Sequence, residues 1–307
     1  MIAAPVHPVL SEGLKAAGYE LIAGEKFSQI EMEKVLPGVT GIITSTRILL
    51  DRTMLDKAAQ LCWVGRMGSG MEIIDLDAAA EKNIFVCSSP EGNSNAVAEH
   101  ALGMLLSLLR HIPRAFEEIK NGHWLREENR GFELEGKTVG IIGYGHTGAA
   151  FAKKLMGFDV AVLAYDILPR PDQPVYPHVR LVDLDTLLQQ AEVLSFHVPL
   201  NPATRHYFNA ALLERLKKPA YLVNTSRGEV VDSRALIQGL ETGKIKGACL
   251  DVWEEEPLEK MKPKARENFD RILQFPNVLV TPHIAGYTFE ALYKMSKTLL
   301  EKLKQSI

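Results

Sequence analysis

The sequence predicts an α/β protein made of two doubly wound, parallel-sheet domains. Three observations carry this. Short apolar, β-branched runs alternate with helical apolar patterns along most of the chain. One such run, residues 138–142, leads through Gly143, Gly145 and Gly148 straight into a helical pattern at 149–156. And 307 residues, 46% of them hydrophobic, are enough to bury two cores rather than one.

In chain order, residues 3–6 read as a clipped first strand and 8–18 as an amphipathic helix that ends at Gly18, where a left-handed residue is needed. Strands follow at 19–23, 41–44, 61–65 and 84–87. The loop Arg66-Met-Gly-Ser-Gly70 stands after one of them, at the strand end where open α/β sheets bind ligands. Residues 94–109 form the longest apolar helical pattern, with Ser94 as candidate N-cap and Glu99 and His100 as its only ionisable residues. Residues 121–135 are polar and carry Trp124, which serves either as an anchor between subunits or as a cover for its own core. Six strands are expected beyond, at 138–142, 159–165, 193–198, 220–224, 247–252 and 278–281. The charged piece 259–268 reads as a surface insertion and 288–304 as a last helix.

The glycine turn carries the first chemistry. Gly143 permits a tight turn, Gly145 lets backbone approach a pyrophosphate, Gly148 lets helix pack on strand, and the helix start offers unpaired N–H groups. Asp166 follows the next strand, 18 residues after Gly148, where a carboxylate accepts both ribose hydroxyls. That favours NAD over NADP, because a 2′-phosphate would be repelled and no cation follows until Arg170. A net charge of −3 disfavours a nucleic-acid or acidic-membrane partner. Cys62, Cys87 and Cys249 sit in apolar runs without metal-ligand spacing, so no metal is expected and all three read as buried free thiols. With neither a leader nor a long apolar span, a cytoplasmic protein is expected.

Three stretches at strand ends then call for a chemical role: Val223-Asn-Thr-Ser-Arg-Gly-Glu-Val-Val-Asp232, Cys249-Leu-Asp-Val-Trp-Glu-Glu-Glu-Pro257 and Val280-Thr-Pro-His-Ile-Ala-Gly286. With the glycine turn they resemble the D-isomer-specific 2-hydroxyacid dehydrogenase family, in the family's order and from about Val6 to the end. The N-terminal pieces look most like the D-3-phosphoglycerate dehydrogenases within it.

The resemblance implies a flavodoxin-like substrate domain (1–93 and 287–307), a Rossmann NAD-binding domain (94–286), and reversible hydride transfer between a D-2-hydroxy acid and NAD. Arg227 would hold the substrate carboxylate, His283 would be the general base and Glu256 its partner. His146, Thr147, Asp166, Thr225 and Asp251 would contact the cofactor, with Asp251 on the carboxamide. Ser69 and Gly70 would offer N–H groups to the substrate carboxylate, and Arg66 a charge near its far end. A homodimer is implied, with 94–109 and the arm around Trp124 at its interface. His197 is expected to be a core or cofactor-facing residue rather than a catalyst.

The expected substrate is D-3-phosphoglycerate, oxidised to 3-phosphohydroxypyruvate in serine biosynthesis. Against it stands Thr44, where an arginine for the phosphate is expected, with Arg47 three residues on as its possible replacement. Ile73 also departs, from a usual Asn. A glyoxylate or hydroxypyruvate reductase, or another D-2-hydroxyacid dehydrogenase, is the alternative; an NAD-dependent corepressor-like scaffold is the alternative of another class. The chain ends at Ile307, so feedback control by serine through a C-terminal domain is not expected.

Overall fold

The computed structural model describes residues 1–168 and 171–306. Arg170 therefore lies outside the described residues. The chain divides into two compact units, Met1–Asn95 with Tyr287–Ile307, and Ala96–Gly286.

In the first unit β1 (Gly41–Thr44), β2 (Trp63–Arg66) and β3 (Phe85–Ser88) run parallel in that order. Ile2 bridges both Ala23 and Ile43 in parallel. The chain's passes are thus ordered second, first, third, fourth, fifth, the flavodoxin-like arrangement. The strand expected at 3–6 pairs earlier: Ile43 N–H donates to Met1 O at 2.9 Å and Ala3 N–H to Ile43 O at 2.8 Å. The expected strand 19–23 shrinks to a single bridge, because Ile2 reaches only Ile22 O and Gly24 N–H along that edge.

The helix Pro8–Ala16 stops as its sequence requires. Gly18 takes φ +89°, so Tyr19 N–H reaches Leu14 O and Gly18 N–H reaches Lys15 O. Leu10 and Leu14 then pack with Leu299, Leu300 and Leu303 of the helix Phe289–Ser306, which completes this unit. Gly13 makes room: a Cβ there would stand 2.4 Å from Leu300 Cδ2.

The second unit holds a seven-stranded parallel sheet. Its strands are β4 (Thr138–Ile142), β5 (Ala161–Tyr165), β6 (Val179–Leu181), β7 (Val193–Phe196), β8 (Ala220–Asn224), β9 (Ile245–Leu250) and β10 (Val278–Val280). They lie in the order β10-β9-β8-β7-β4-β5-β6. Apolar clusters cover both faces, one around Phe196, Leu212 and Leu236, the other around Leu105, Phe151 and Val223. That explains why these strands read as unbroken apolar runs. The order reverses between β4 and β7, which opens the ligand crevice of a doubly wound sheet beside Gly143 and His197.

Two expectations are corrected, at Ser94 and at Cys62. The long helix spans Pro90–Leu109, so Ser94 is not its N-cap; Pro90 opens the first turn and the Ser94 hydroxyl donates back to Glu91 O. Residues 259–268 do lie at the surface, none of them buried, and 263–268 form the start of the helix Pro263–Leu273, whose later residues Phe269 and Ile272 are buried, Phe269 edge-on to Trp253. Cys62 is exposed, while Cys87 and Cys249 are buried, and all three are free. No helix among the described residues is long and apolar enough to cross a membrane.

Candidate active site

Local sequence builds a dinucleotide cradle at the sheet's reversal point. Gly143 follows β4 with φ +93°, and a Cβ there would meet His197 O at 2.4 Å; at Gly148 a Cβ would meet Gly143 O at 2.1 Å. Neither position admits a side chain. Gly145 is the N-cap of the helix His146–Leu155 and supplies no side-chain cap, so the amides of the first turn, at His146 and Thr147, are not claimed from that position. Asp166 stands just past β5. Its Oδ2 accepts the Tyr144 N–H at 2.7 Å and its Oδ1 the Leu168 N–H at 3.0 Å, which fixes the acid beside the glycine turn with acceptor capacity left for hydroxyls.

Thr225, after β8, is buried, and its Oγ1 has no hydrogen-bond partner among the described residues. An orphaned hydroxyl facing the strand ends fits a polar ligand there. Next to it, burial pushes the His197 imidazole down to about 3. Neutral His197 meets Ser195 Oγ at 2.8 Å and packs on Phe151, a structural part of the crevice wall.

The charged end of the site comes from three neighbouring strands. Asn224 pairs with Leu250 and Leu250 with Val280, so the loops after β8, β9 and β10 leave the sheet side by side. The first carries Arg227. Fully buried Asn224 shapes that loop: its Oδ1 accepts from Ser226 N–H and Oγ, and its Nδ2 donates to Arg227 O at 2.9 Å. Gly228 lets the loop lie on the next one, since a Cβ there would stand 1.8 Å from Trp253 C.

Glu256 and His283 meet. Glu256 Oε1 accepts the Trp253 N–H at 2.7 Å, and Oε2 lies 2.7 Å from His283 Nδ1. Both side chains are partly exposed. His283 also holds a left-handed backbone, φ +56°, uncommon for a residue with a Cβ.

Asp251 maintains that backbone. Its side chain is wholly buried; Oδ1 accepts from Thr281 Oγ1 at 2.5 Å and Ile284 N–H at 2.9 Å, Oδ2 from Ala285 N–H at 2.8 Å, and its carbonyl from His283 N–H at 2.7 Å. Burial by itself would raise the Asp251 pKa, but hydrogen bonds from His100, Thr281 and the Ala285 and Ile284 amides outweigh it and hold the carboxyl below its usual range. Asn224 and Asp251 are thus scaffolding for Arg227 and His283. Only their place at strand ends hinted at this in the sequence.

In the first unit, Ser69 is exposed and Gly70 buried in the loop after β2. Arg66 differs from expectation. Its side chain is 6% exposed and curls over Gly68 to donate to Met67 O at 2.5 Å, so it braces the loop from inside. Gly68 permits this with φ +121°. Thr44 ends β1 fully buried. Arg47 is exposed, but its guanidinium is engaged by three carbonyls, Phe27 O at 2.5 Å, Gly24 O at 3.3 Å and Glu25 O. Ile73 packs against an apolar cluster, where an Asn would lack that contact.

The chain is similar to known proteins over most of its length. A family model described as D-isomer specific 2-hydroxyacid dehydrogenase, NAD binding domain, matches residues 102–285. A glyoxylate reductase of Thermofilum pendens is 40% identical over 83% of the chain, which spans 74% of that protein. A D-3-phosphoglycerate dehydrogenase of Archaeoglobus fulgidus is 33% identical over 99% of the chain, which spans only 56% of that protein. Among solved structures, a D-lactate dehydrogenase from Aquifex aeolicus complexed with NAD and lactic acid aligns with TM-score 0.84 and 29% identity, covering 99% of this chain and 94% of that one. The relatives therefore divide between reductases of small acids and the phosphoglycerate enzymes that the N-terminal pieces resemble.

Proposed function

From the premise that the chain belongs to the D-isomer-specific 2-hydroxyacid dehydrogenase family, an NAD-dependent oxidoreductase class, we propose that it acts on a short, unphosphorylated acid, as a glyoxylate or hydroxypyruvate reductase does. The observation that carries this is Arg47. It is the residue that would replace the arginine missing at Thr44, and its guanidinium is tied to three backbone carbonyls instead. The likeness to the Thermofilum pendens reductase supports the same reading.

Bound NAD supplies the hydride acceptor, and NADH the donor, at the nicotinamide ring. The glycine turn, the amides of His146 and Thr147 and the Asp166 carboxylate hold the cofactor. Thr225 meets its nicotinamide end, and Asp251 keeps one acceptor position for the carboxamide. Arg227 takes the substrate carboxylate and polarises the C2 oxygen. His283 exchanges the proton of the C2 hydroxyl, with Glu256 fixing its ring.

The test is kcat/KM for glyoxylate and hydroxypyruvate against 3-phosphohydroxypyruvate, with NADH. One absent charge-assisted contact is worth roughly 1.5–3 kcal/mol, so the unphosphorylated acids are expected to lead by about ten- to a hundredfold. A clear preference for the phosphorylated acid overturns the proposal.

A homodimer belongs to the same proposal, with the arm rather than the long helix at its centre. Pro90–Leu109 buries Ala98, Ala101, Met104, Leu105 and Leu108 in its own core. The following helix, Ile112–Lys120, buries nothing, and Ile112, Phe116 and Ile119 are exposed together with Trp124, at 78%, and Phe132. Glu118 holds this face in shape by accepting from Arg114 Nε and Asn129 Nδ2, and Phe132 N–H is anchored on Leu109 O. A preformed apolar surface of this kind marks a protein contact. Light scattering is expected to give twice the chain mass for the parent protein and the single mass for Phe116→Ser/Trp124→Ser; a monomeric parent ends the dimer assignment.

A further inference from the structure

His100 is one of two ionisable residues in an otherwise apolar stretch of helix, and the mechanism above gives it no task. Its Nε2 lies 3.0 Å from Thr281 Oγ1 and 3.4 Å from Asp251 Oδ1. Hydrogen-bond arithmetic orders these groups. An ionised carboxylate only accepts, so at 2.5 Å the Thr281 hydroxyl must give its single proton to Asp251 Oδ1. Thr281 Oγ1 can then only accept from His100, which therefore carries a proton on Nε2.

The chain of bonds continues to the reacting group. Asp251, aimed by Thr281, accepts the amides of Ile284 and Ala285 through its carboxylate and that of His283 through its carbonyl. These bonds flank a residue whose φ of +56° needs outside support. The same backbone directs His283 Nδ1 at Glu256.

We propose that His100 and Thr281 are positioning residues that act through Asp251 to hold the His283 loop in its reactive geometry. The proposal rests on His283 being the proton-exchanging group. It deepens the site by adding a part-buried relay that runs from a helix distant in sequence, and it assigns no substrate contact to either residue. Loosening the relay lets the His283 backbone relax, and a displacement on the order of 1 Å at such a group costs up to about a hundredfold in rate.

The experiment uses the whole chain with substitutions His100→Ala, His100→Gln, Thr281→Val and the pair His100→Ala/Thr281→Val. Steady-state kinetics with NADH and the best 2-oxo acid are combined with NADH fluorescence titration and thermal unfolding. His100→Ala and Thr281→Val are each expected to lower kcat by about 10- to 100-fold, with the NADH dissociation constant within about threefold of the parent. Gln places an N–H donor near the former Nε2, so His100→Gln is expected to recover kcat to within about threefold. The pair should be no slower than the slower single variant, as expected for members of one chain.

Parent-like kcat in His100→Ala overturns the proposal, and so does a His100→Gln variant no better than alanine. A loss of kcat matched by an equal loss of NADH affinity also overturns it, since that places the effect in the cofactor site. His283→Gln, measured in parallel, separates the two levels. If it turns over normally, the His283 assignment fails; if it is inactive while His100→Ala is normal, the positioning alone fails.

Discussion

Replacing His283 with alanine is expected to lower kcat by about two to four orders of magnitude, the usual contribution of a positioned acid–base group. The geometry says which nitrogen Glu256 leaves for the substrate. Glu256 Oε2 stands 2.7 Å from Nδ1, and a carboxylate can only accept there, so Nδ1 carries the proton and Nε2 the lone pair of the neutral ring. In the proposed reaction Nε2 would take the hydroxyl proton of C2 in oxidation, and the imidazolium would return it in reduction. Glu256 is itself held by Trp253 N–H, so the pair keeps its tautomer and aim through the cycle. Glu256→Gln retains the shape but lets an amide present either an acceptor or a donor to Nδ1, and a further loss of about 10- to 100-fold in kcat is expected from misaligned rings alone. The glycine turn and Asp166 lie after β4 and β5, on other strands, so NADH binding should persist in both variants. A folded His283→Ala protein that binds NADH and turns over at near-parent rates sinks the assignment.

What could be read from the chain follows from where the information sits. The parallel strands of the second unit are buried on both faces, so β4, β5, β7, β8 and β9 show as apolar runs, and the glycine turn marks the crevice in the sequence itself. Edge strand β6 has no such signal: it is three residues long, with Arg180 and Leu181 both exposed. The start of the long helix escaped because Pro90-Glu-Gly-Asn-Ser94 has no apolar period, and its first turn is marked by proline instead. Residues 259–268 read as surface and lie there, while the apolar pair that seats their helix, Phe269 and Ile272, comes just after them.

The site divides the same way. Arg227, Glu256 and His283 are candidates in the sequence because each stands in a motif at a strand end, and the structure sets those strand ends side by side. The bonds that aim them were not visible, because they join residues far apart in sequence. His100 meets Thr281 across 181 positions and Glu256 meets His283 across 27. No local pattern encodes such a pairing, which arises only when the strands order themselves. Arg66 and Arg47 show the converse: both are arginines in plausible loops, and both turn to their own backbone, Arg66 to Met67 O and Arg47 to the 24–27 carbonyls.

Arg227 is expected to be the second indispensable side chain, and the chemistry of its fork makes lysine an instructive replacement. Two charge-assisted hydrogen bonds to a carboxylate are worth about 1.5–3 kcal/mol each, so removing one and bending the other costs at least about 2 kcal/mol, thirtyfold or more in kcat/KM. Arg227→Lys keeps the charge but offers a point rather than a plane, and Arg227→Gln loses both, with an expected fall beyond about a hundredfold. The backbone cannot shift to compensate. Asn224 closes the turn on Arg227 O, and Gly228 packs its Cα against Trp253, so the loop stays where it is whatever the side chain. NADH affinity should be nearly unchanged while KM for the 2-oxo acid rises and kcat falls, because the substrate carboxylate is held in both ground and transition states and the C2 oxygen gains charge only in the latter. Arg47→Ala supplies the contrast. Its guanidinium serves the 24–27 turn, so it should lower thermal stability and leave KM for glyoxylate as it was. If Arg227→Lys retains parent kcat/KM while Arg47→Ala loses it, the roles assigned to the two arginines are reversed.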